Sequence, residues 1–411
     1  MAPFTRESDM PPMVSLSICI PTRNRQGYCI ETMRAIAGSG ERDFEVIVAD
    51  NSDDPAPLRQ AFDSFSDHRF RLVAPQGRVL SMVDNWERLI PETAGHWISV
   101  IGDDDYIDPA VGGLIRRFEG LRPDVEAIGW GRMNFHWPDN RPVPTLASVP
   151  TGAGCWASDR VDLQDRLFRW SEGRSRPSCG FGIYHGAVRR TLMERIRQTY
   201  GGRYFEHPVV DYDSNCKVVA EARSLLYCER PFSVLGECAA SNSASALSLE
   251  RLKVLVETFK TESASDLIRA NPDFPFTLFE AGASLCVSIA ATTVWFCRKY
   301  GIDLTGFEAN FARAAMDECR YSPSLEAYEA KVANIRAGFA AWDGGRWADL
   351  FEPAPFNAPK TVNALSGVME DMIHLREDRL RVTTPGEFYR YAEHAIMPVG
   401  HVVAGTRSFV T

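Results

Sequence analysis

The chain has no surplus of positive charge: Lys and Arg number 45 against 54 Asp and Glu, for a net charge of −9 over 411 residues. A broad surface for a nucleic-acid backbone needs the opposite balance, so no nucleic-acid partner is expected. There is also no C-x-x-C pair. The ten cysteines, from Cys19 to Cys319, are scattered. That argues against a zinc site or a thioredoxin-type motif, and for reduced, buried thiols in a cytoplasmic chain. The opening MAPFTRESDMPP lacks the apolar segment of a signal peptide. The uncharged stretch Ala281–Cys297 lies at the lower bound of spanning length. It carries Ser284, Ser288, Thr292 and Thr293, so it reads as a buried helix rather than a membrane span.

What is present is core material: 9 Trp, 12 Tyr and 23 Phe demand burial and exclude a disordered chain. Val14–Ile20 is a short apolar run of buried-strand length that ends at Pro21. Tyr28–Ala37 then keeps Ile30, Met33, Ile36 and Ala37 on one helical face. Phe44–Ala49 reads as a second strand, closing on Asp50-Asn51-Ser52-Asp53. Val79, Met82, Val83, Trp86, Leu89 and Ile90 follow helical spacing. Trp97–Ile101 is a third strand and runs into Gly102-Asp103-Asp104-Asp105, after which Asp108 and Pro109 open a helix.

This alternation predicts an α/β fold with a mostly parallel sheet flanked by helices. Glu126–Phe135 adds a strand, 160–170 and 187–199 are helical, and Ser178–Tyr184 is a Gly-broken turn or strand. Two later stripes read as helices: Leu249, Leu252, Leu255, Val256, Phe259, and Val362, Leu365, Met369, Met372, Ile373. The expected organisation is a leader over 1–13, an α/β domain over 14–240 divided near residue 120, and a mostly helical region over 241–411.

In such sheets ligands sit beyond the carboxyl ends of the strands. All three strands end there in polar clusters, and Asp103-Asp104-Asp105 is the strongest of them. Adjacent carboxylates repel one another, so a positive partner belongs beside them. A hard divalent cation held by one or two carboxylates and substrate phosphates supplies it, and a solvated turn is the plain alternative. Arg23 and Arg25 are suited to neutralising phosphates. His185 and His207 read as satisfied, partly buried residues. Ser241-Asn242-Ser243 is either a polar loop or one that closes over a ligand.

In ordered sequence the segments SICIPTRNR (Ser17–Arg25), VIVADNSDD (Val46–Asp54), SMVDNWERLI (Ser81–Ile90) and GHWISVIGDDDYIDP (Gly95–Pro109) resemble the family 2 glycosyltransferases of the GT-A fold. The likeness is good over 14–120 and weaker over 120–240. It departs from the family pattern at Gly102, which stands where many members carry the first Asp of L-D-x-D-D. The resemblance implies that Pro21, Thr22 and Arg23 line a nucleotide. It implies that Asp50 reads the base with Asp53 close by, that Asp104 faces the ribose or donor sugar with Asp103 beside it in the nucleotide-sugar site, and that Asp105 holds Mn2+ or Mg2+, with Asp103 and Asp104 open as alternative ligands. An acidic base is implied at the start of a helix in the second half, with Asp211 the candidate and Asp213 the reserve.

The function so implied is metal-dependent, inverting transfer of a sugar from a nucleotide diphosphate donor to a hydroxyl of a glycan or lipid-linked acceptor. A lipid-linked acceptor would bring a cytoplasmic chain to the inner face of the membrane as a peripheral protein. A nucleotidyltransferase is the rival enzyme, but that class favours a Gly-rich loop after its first strand and PTRNRQG has only Gly27. A catalytically inactive glycan-binding module of the same fold is the non-enzymatic rival. A processive synthase is disfavoured, because Gln164 and Arg169-Trp170 miss the Q-x-x-R-W spacing.

Overall fold

A computed structural model describes residues 14–141, 145–173, 176–177, 180–242, 254, 257–258, 273–276, 284–358 and 366–402. The leader over 1–13, Ser243, the stripe Leu249–Phe259, Val362 and Leu365 lie outside the described residues. Twelve strands form one sheet among the described residues. They are β1 (Leu16–Thr22), β2 (Phe44–Asp50), β3 (Phe70–Val73), β4 (Trp97–Val100), β5 (Tyr106–Ile107), β6 (Ala127–His136), β7 (Leu146–Pro150), β8 (Cys155–Ser158), β9 (Gly186–Arg189), β10 (Leu225–Glu237), β11 (Gly367–Met369) and β12 (Met372–Arg376).

The order β3-β2-β1-β4 is parallel throughout, as the strand–helix alternation requires. Beyond β4 the sheet is mixed: β9 runs antiparallel to β4 and β6, and the long β10 runs parallel to β6. Both faces are covered, and the period of two shows in the side chains. Ile18, Ile20, Val46 and Val48 point into one core, while Cys19, Ile47 and Ala49 point into the other. The first core is closed by α1 (Gln26–Ala37) and α4 (Val111–Leu121). The second is closed by α5 (Arg160–Phe168), α6 (Arg190–Thr199) and α7 (Val210–Glu221).

The helix expected over 79–90 is shorter, Met82–Glu87, capped by the Ser81 hydroxyl. Val79 stays exposed ahead of the cap. The uncharged stretch near 281–297 is observed as the helix Leu285–Tyr300. Its Cys286 to Val294 side pins a third, mostly helical core with Phe307–Cys319 and Leu325–Ala341, joined by Trp170, Phe274, Phe276 and Phe351, while Phe296 and Cys297 enter the second core. Among the described residues no helix is long and apolar enough to cross a membrane.

One expectation is overturned. Met369, Met372 and Ile373 do not share a helical face; they lie in the hairpin β11–β12, which joins the sheet through β7. Hydrophobic residues three and four apart fit a helix, but the Glu370-Asp371 turn, with Glu370 at φ 52°, folds them into two strands. The chain then returns to the first core, where the helix Pro385–Ala392 packs against α1, β5, β6 and β10, with Tyr389 on Tyr106 and Phe388 on Phe135.

Candidate functional site

The site begins where β1 outruns β4. Pairing of β1 with β4 stops at Cys19 and Val100, whereas pairing with β2 continues to Thr22 and Asp50. The Cys19 carbonyl accepts Ile101 N–H on the β4 side. Pro21, two residues on, therefore turns its missing N–H toward the side where β4 has ended. This is why β1 extends through Pro21 rather than stopping before it. The gap it leaves is a switch point between β1 and β4.

The loops after β1 and β2 are clasped together. Asn24, at φ 55°, donates its side-chain N–H to Asp53 at 2.8 Å, accepts Asp53 N–H at 3.0 Å, and donates its own N–H to the Ser52 hydroxyl at 2.9 Å. Asp53 is exposed and stands 3.8 Å from an Arg23 guanidinium nitrogen. Asp50 is fully buried at the end of β2. Its Oδ1 accepts Ser52 N–H at 2.9 Å, but Oδ2 has no hydrogen-bond partner among the described residues. A buried carboxylate oxygen left unpaired is costly unless something else donates to it.

The three consecutive aspartates face three ways. Asp105 turns inward: Oδ2 accepts Gly102 N–H at 2.7 Å and Tyr184 O–H at 2.7 Å, with His185 Nε2 at 3.0 Å, and Oδ1 accepts Gly236 N–H at 2.8 Å. Burial alone would raise its carboxyl, but His185, Tyr184 and the Gly236 amide hold it below the ordinary range. Asp103 accepts Thr22 O–H at 2.6 Å and is forked by Arg25, with Nε at 3.2 Å and Nη2 at 2.6 Å. Burial outweighs Arg25 there and, with Asp104 and Asp105 nearby, pushes the Asp103 carboxyl up to about 7. Asp104 places Oδ2 on Cys238 N–H and the Ser241 hydroxyl, with Arg25 Nη1 at 3.5 Å. It alone of the three keeps any side-chain exposure, 6% against 0% for the other two.

The chain itself places a positive partner, Arg25, beside Asp103 and Asp104. Asp105 does not fit a metal ligand, because both its oxygens are taken and the side chain is sealed. Gly102 has a reason as well. A Cβ on it would stand 2.9 Å from the Asp105 carboxylate and 3.1 Å from that of Asp104, so the tight turn around Asp105 leaves no room for the family's usual Asp.

In the second half, Asp213 is committed to structure. Fully buried in the first turn of α7, it accepts Glu206 N–H at 2.6 Å and His207 N–H at 3.1 Å and pairs with the buried Lys217 at 3.1 Å. Asp211 is half-buried one turn-face away, and burial raises its carboxyl despite Arg132 and Arg176. Tyr184 joins the two groups of acids. Burial raises its phenol first, then Asp105 and Asp104, with Asp211 also contributing, so one ring feels both ends of the site. His207 is sealed between Val209 N–H and Thr292, and burial drops it to about 3, which leaves it a neutral structural group.

Tyr184, Thr32, Gly236 and the Cys238 amide were not legible as site residues. Thr32 donates from α1 to the carbonyls of Asp103 and Asp105 at 3.0 and 2.8 Å. Only Gly236 carried a signal, as a glycine near a strand end: a Cβ there would overlap the Asp104 carbonyl oxygen. Among the described residues no group of three or more His, Cys, Asp or Glu could hold a metal ion.

Residues 17–174 match the model of glycosyl transferase family 2. Among curated proteins none matches the chain. Of solved structures, the Staphylococcus aureus TarS fragment 1–349 in complex with UDP-GlcNAc is 12% identical, with a TM-score of 0.44, covering 82% of this chain and 84% of that one. The mannosyltransferase PcManGT from Pyrobaculum calidifontis, in complex with GDP-Man and Mn2+, is 17% identical, with a TM-score of 0.36 over 82% of this chain and 84% of that one.

Proposed function

We propose, on the premise that residues 17–174 belong to glycosyl transferase family 2, that the protein moves a sugar from a nucleotide diphosphate donor to a hydroxyl of a glycan or lipid-linked acceptor, with inversion. The observation that carries this is the buried, unpaired Asp50 Oδ2 at the strand-end crevice that also holds Asp103 to Asp105. A planar base offering an N–H would satisfy that oxygen, while Pro21, Thr22 and Arg23 flank the nucleotide.

A divalent cation, Mn2+ or Mg2+, would be held among the described residues by Asp104, the one of the three aspartates with any side-chain exposure, together with the donor's phosphates. When bound it would supply Lewis-acid stabilisation of the departing diphosphate. The chain's own part is separate. Asp211 accepts the proton of the acceptor hydroxyl as that oxygen bonds to the anomeric carbon, and the bond to the diphosphate breaks with its electron pair leaving on the phosphate oxygen. Screening nucleotide-sugars for transfer or slow hydrolysis with Mn2+ tests the reading. Turnover of one donor is expected, and metal-dependent nucleotide binding with no turnover of any donor would favour the inactive binding module instead.

A further inference from the structure

Arg25 occupies the place where the carboxylates, and in the reading above the donor's diphosphate, both need a positive charge. We infer that Arg25 is a resident counter-charge for that diphosphate, so that the diphosphate is held without a divalent cation and a cation at Asp104 only strengthens the hold. The inference rests on the glycosyltransferase reading for its ligand and goes beyond it in assigning the charge to a side chain.

The geometry supports this in three ways. First, the guanidinium is fixed: it forks onto Asp103 and reaches Asp104 at 3.5 Å, and Asp103 is itself held by Thr22. A guanidinium stays charged at any working pH. Second, it has capacity to spare. A guanidinium offers five N–H groups. Nε on Asp103 and Nη1 on Asp104 are hydrogen bonds, while Nη2 stands 2.6 Å from Asp103 Oδ1 as an ion pair; N–H groups are left for a ligand, and the side chain is 24% exposed. Planar bidentate donation is the geometry that suits phosphate oxygens. Third, Arg25 sits at the N-cap of the twelve-residue α1, whose first turn contains no acidic residue, so the positive end of that helix adds to the charge of the guanidinium. A cation, by contrast, would meet Asp104, whose side chain is 6% exposed.

The test uses the full-length protein, inorganic pyrophosphate as the probe, and titration calorimetry in EDTA and again with Mn2+. Wild type is expected to bind pyrophosphate in EDTA, more tightly with Mn2+. Arg25→Gln should weaken binding in EDTA by about tenfold or more, the loss expected for charge-assisted hydrogen bonds. Arg25→Lys, which keeps the charge but not the fork, should fall between the two. Loss of all pyrophosphate binding by wild type in EDTA would overturn the inference, and needs no variant to fold. Equal binding by Arg25→Gln, or tighter Mn2+ binding by that variant with unchanged pyrophosphate affinity in EDTA, would reduce Arg25 to a placeholder and overturn it too. Failure of the glycosyltransferase reading shows separately, as absence of sugar turnover by wild type with Mn2+ whatever pyrophosphate does.

Discussion

At the scale of single residues, the two acids of α7 stand in different surroundings, Asp213 fully buried beside Lys217 and Asp211 half-buried. Asp211 has no ion pair among the described residues and its carboxyl is raised, the setting of a group that can take and release a proton. Asp211→Asn should lower kcat by roughly 10²–10⁴-fold with nucleotide affinity nearly unchanged, measured by transfer kinetics beside calorimetry. The pH profile carries a sign as well. A base works only when unprotonated, so activity falls as pH drops through its pKa. Because that value is raised, the acidic limb of kcat/KM should lie above the usual carboxylate range. Asp213→Asn should behave otherwise: it leaves Lys217 with Glu206 at 3.1 Å as its carboxylate partner and weakens the pairing at the start of α7, a loss of about 1–3 kcal/mol readable by urea unfolding. If Asp213→Asn slows transfer with full stability, the two roles are exchanged.

At the scale of elements, the end of β12 is clasped to β6. Glu377 is fully buried, accepts His136 N–H at 2.7 Å, lies 3.0 Å from His136 Nδ1, and accepts the Thr145 hydroxyl. The Glu377 hydrogen bond raises His136 first of all, and although burial alone would raise Glu377, His136 and Thr145 hold it below its ordinary value. The signs differ. The histidine's contribution is full below its unfolded pKa near 6.5 and is lost as pH rises through the raised folded value. The glutamate's is full above its unfolded pKa near 4.3 and is lost as pH falls through the lowered one. Together they hold best between about pH 4.5 and 6.5. Hydrogen exchange over 366–402 should therefore be slower, relative to intrinsic rates, at pH 6 than at pH 8.5. An unchanged protection, or the reverse order, would refute the clasp.

At the scale of the whole molecule, the C-terminal segment is part of the α/β unit rather than an appendage. Arg117 donates to the carbonyls of Val399 and Val402, Arg230 donates to that of Met397, and the Tyr389 hydroxyl donates to Asp108, three residues past Asp105. Phe388 is stacked on Phe135 with ring centroids 5.2 Å apart and is fully buried. Phe388→Ala should cost about 3–5 kcal/mol of the unfolding free energy of the α/β unit, because the void opens in the core that supports β1 and β10. Denaturant unfolding followed by fluorescence checks it. A loss below about 1 kcal/mol would mean the segment only rests on the surface.

The sequence by itself determined the strands β1, β2 and β4, the helices after them, and the crevice at their carboxyl ends. Apolar runs, helical spacing and polar terminators are local signals, readable within a dozen residues. It also marked Asp50, Arg25 and the three aspartates as the residues of that crevice. What each aspartate does was decided only by tertiary structure, because their partners come from far along the chain. Tyr184, His185 and Gly236 reach Asp105 across 79, 80 and 131 positions. The stripe at 369–373 failed for a related reason. Its spacing suits a helix, but the open edge of β7 offered backbone hydrogen bonds that a lone helix there could not match. Pattern specifies which faces are apolar; the long-range partners decide that Asp105 is sealed by Tyr184, His185 and Gly236 and that Asp104 is held by Cys238 and Ser241.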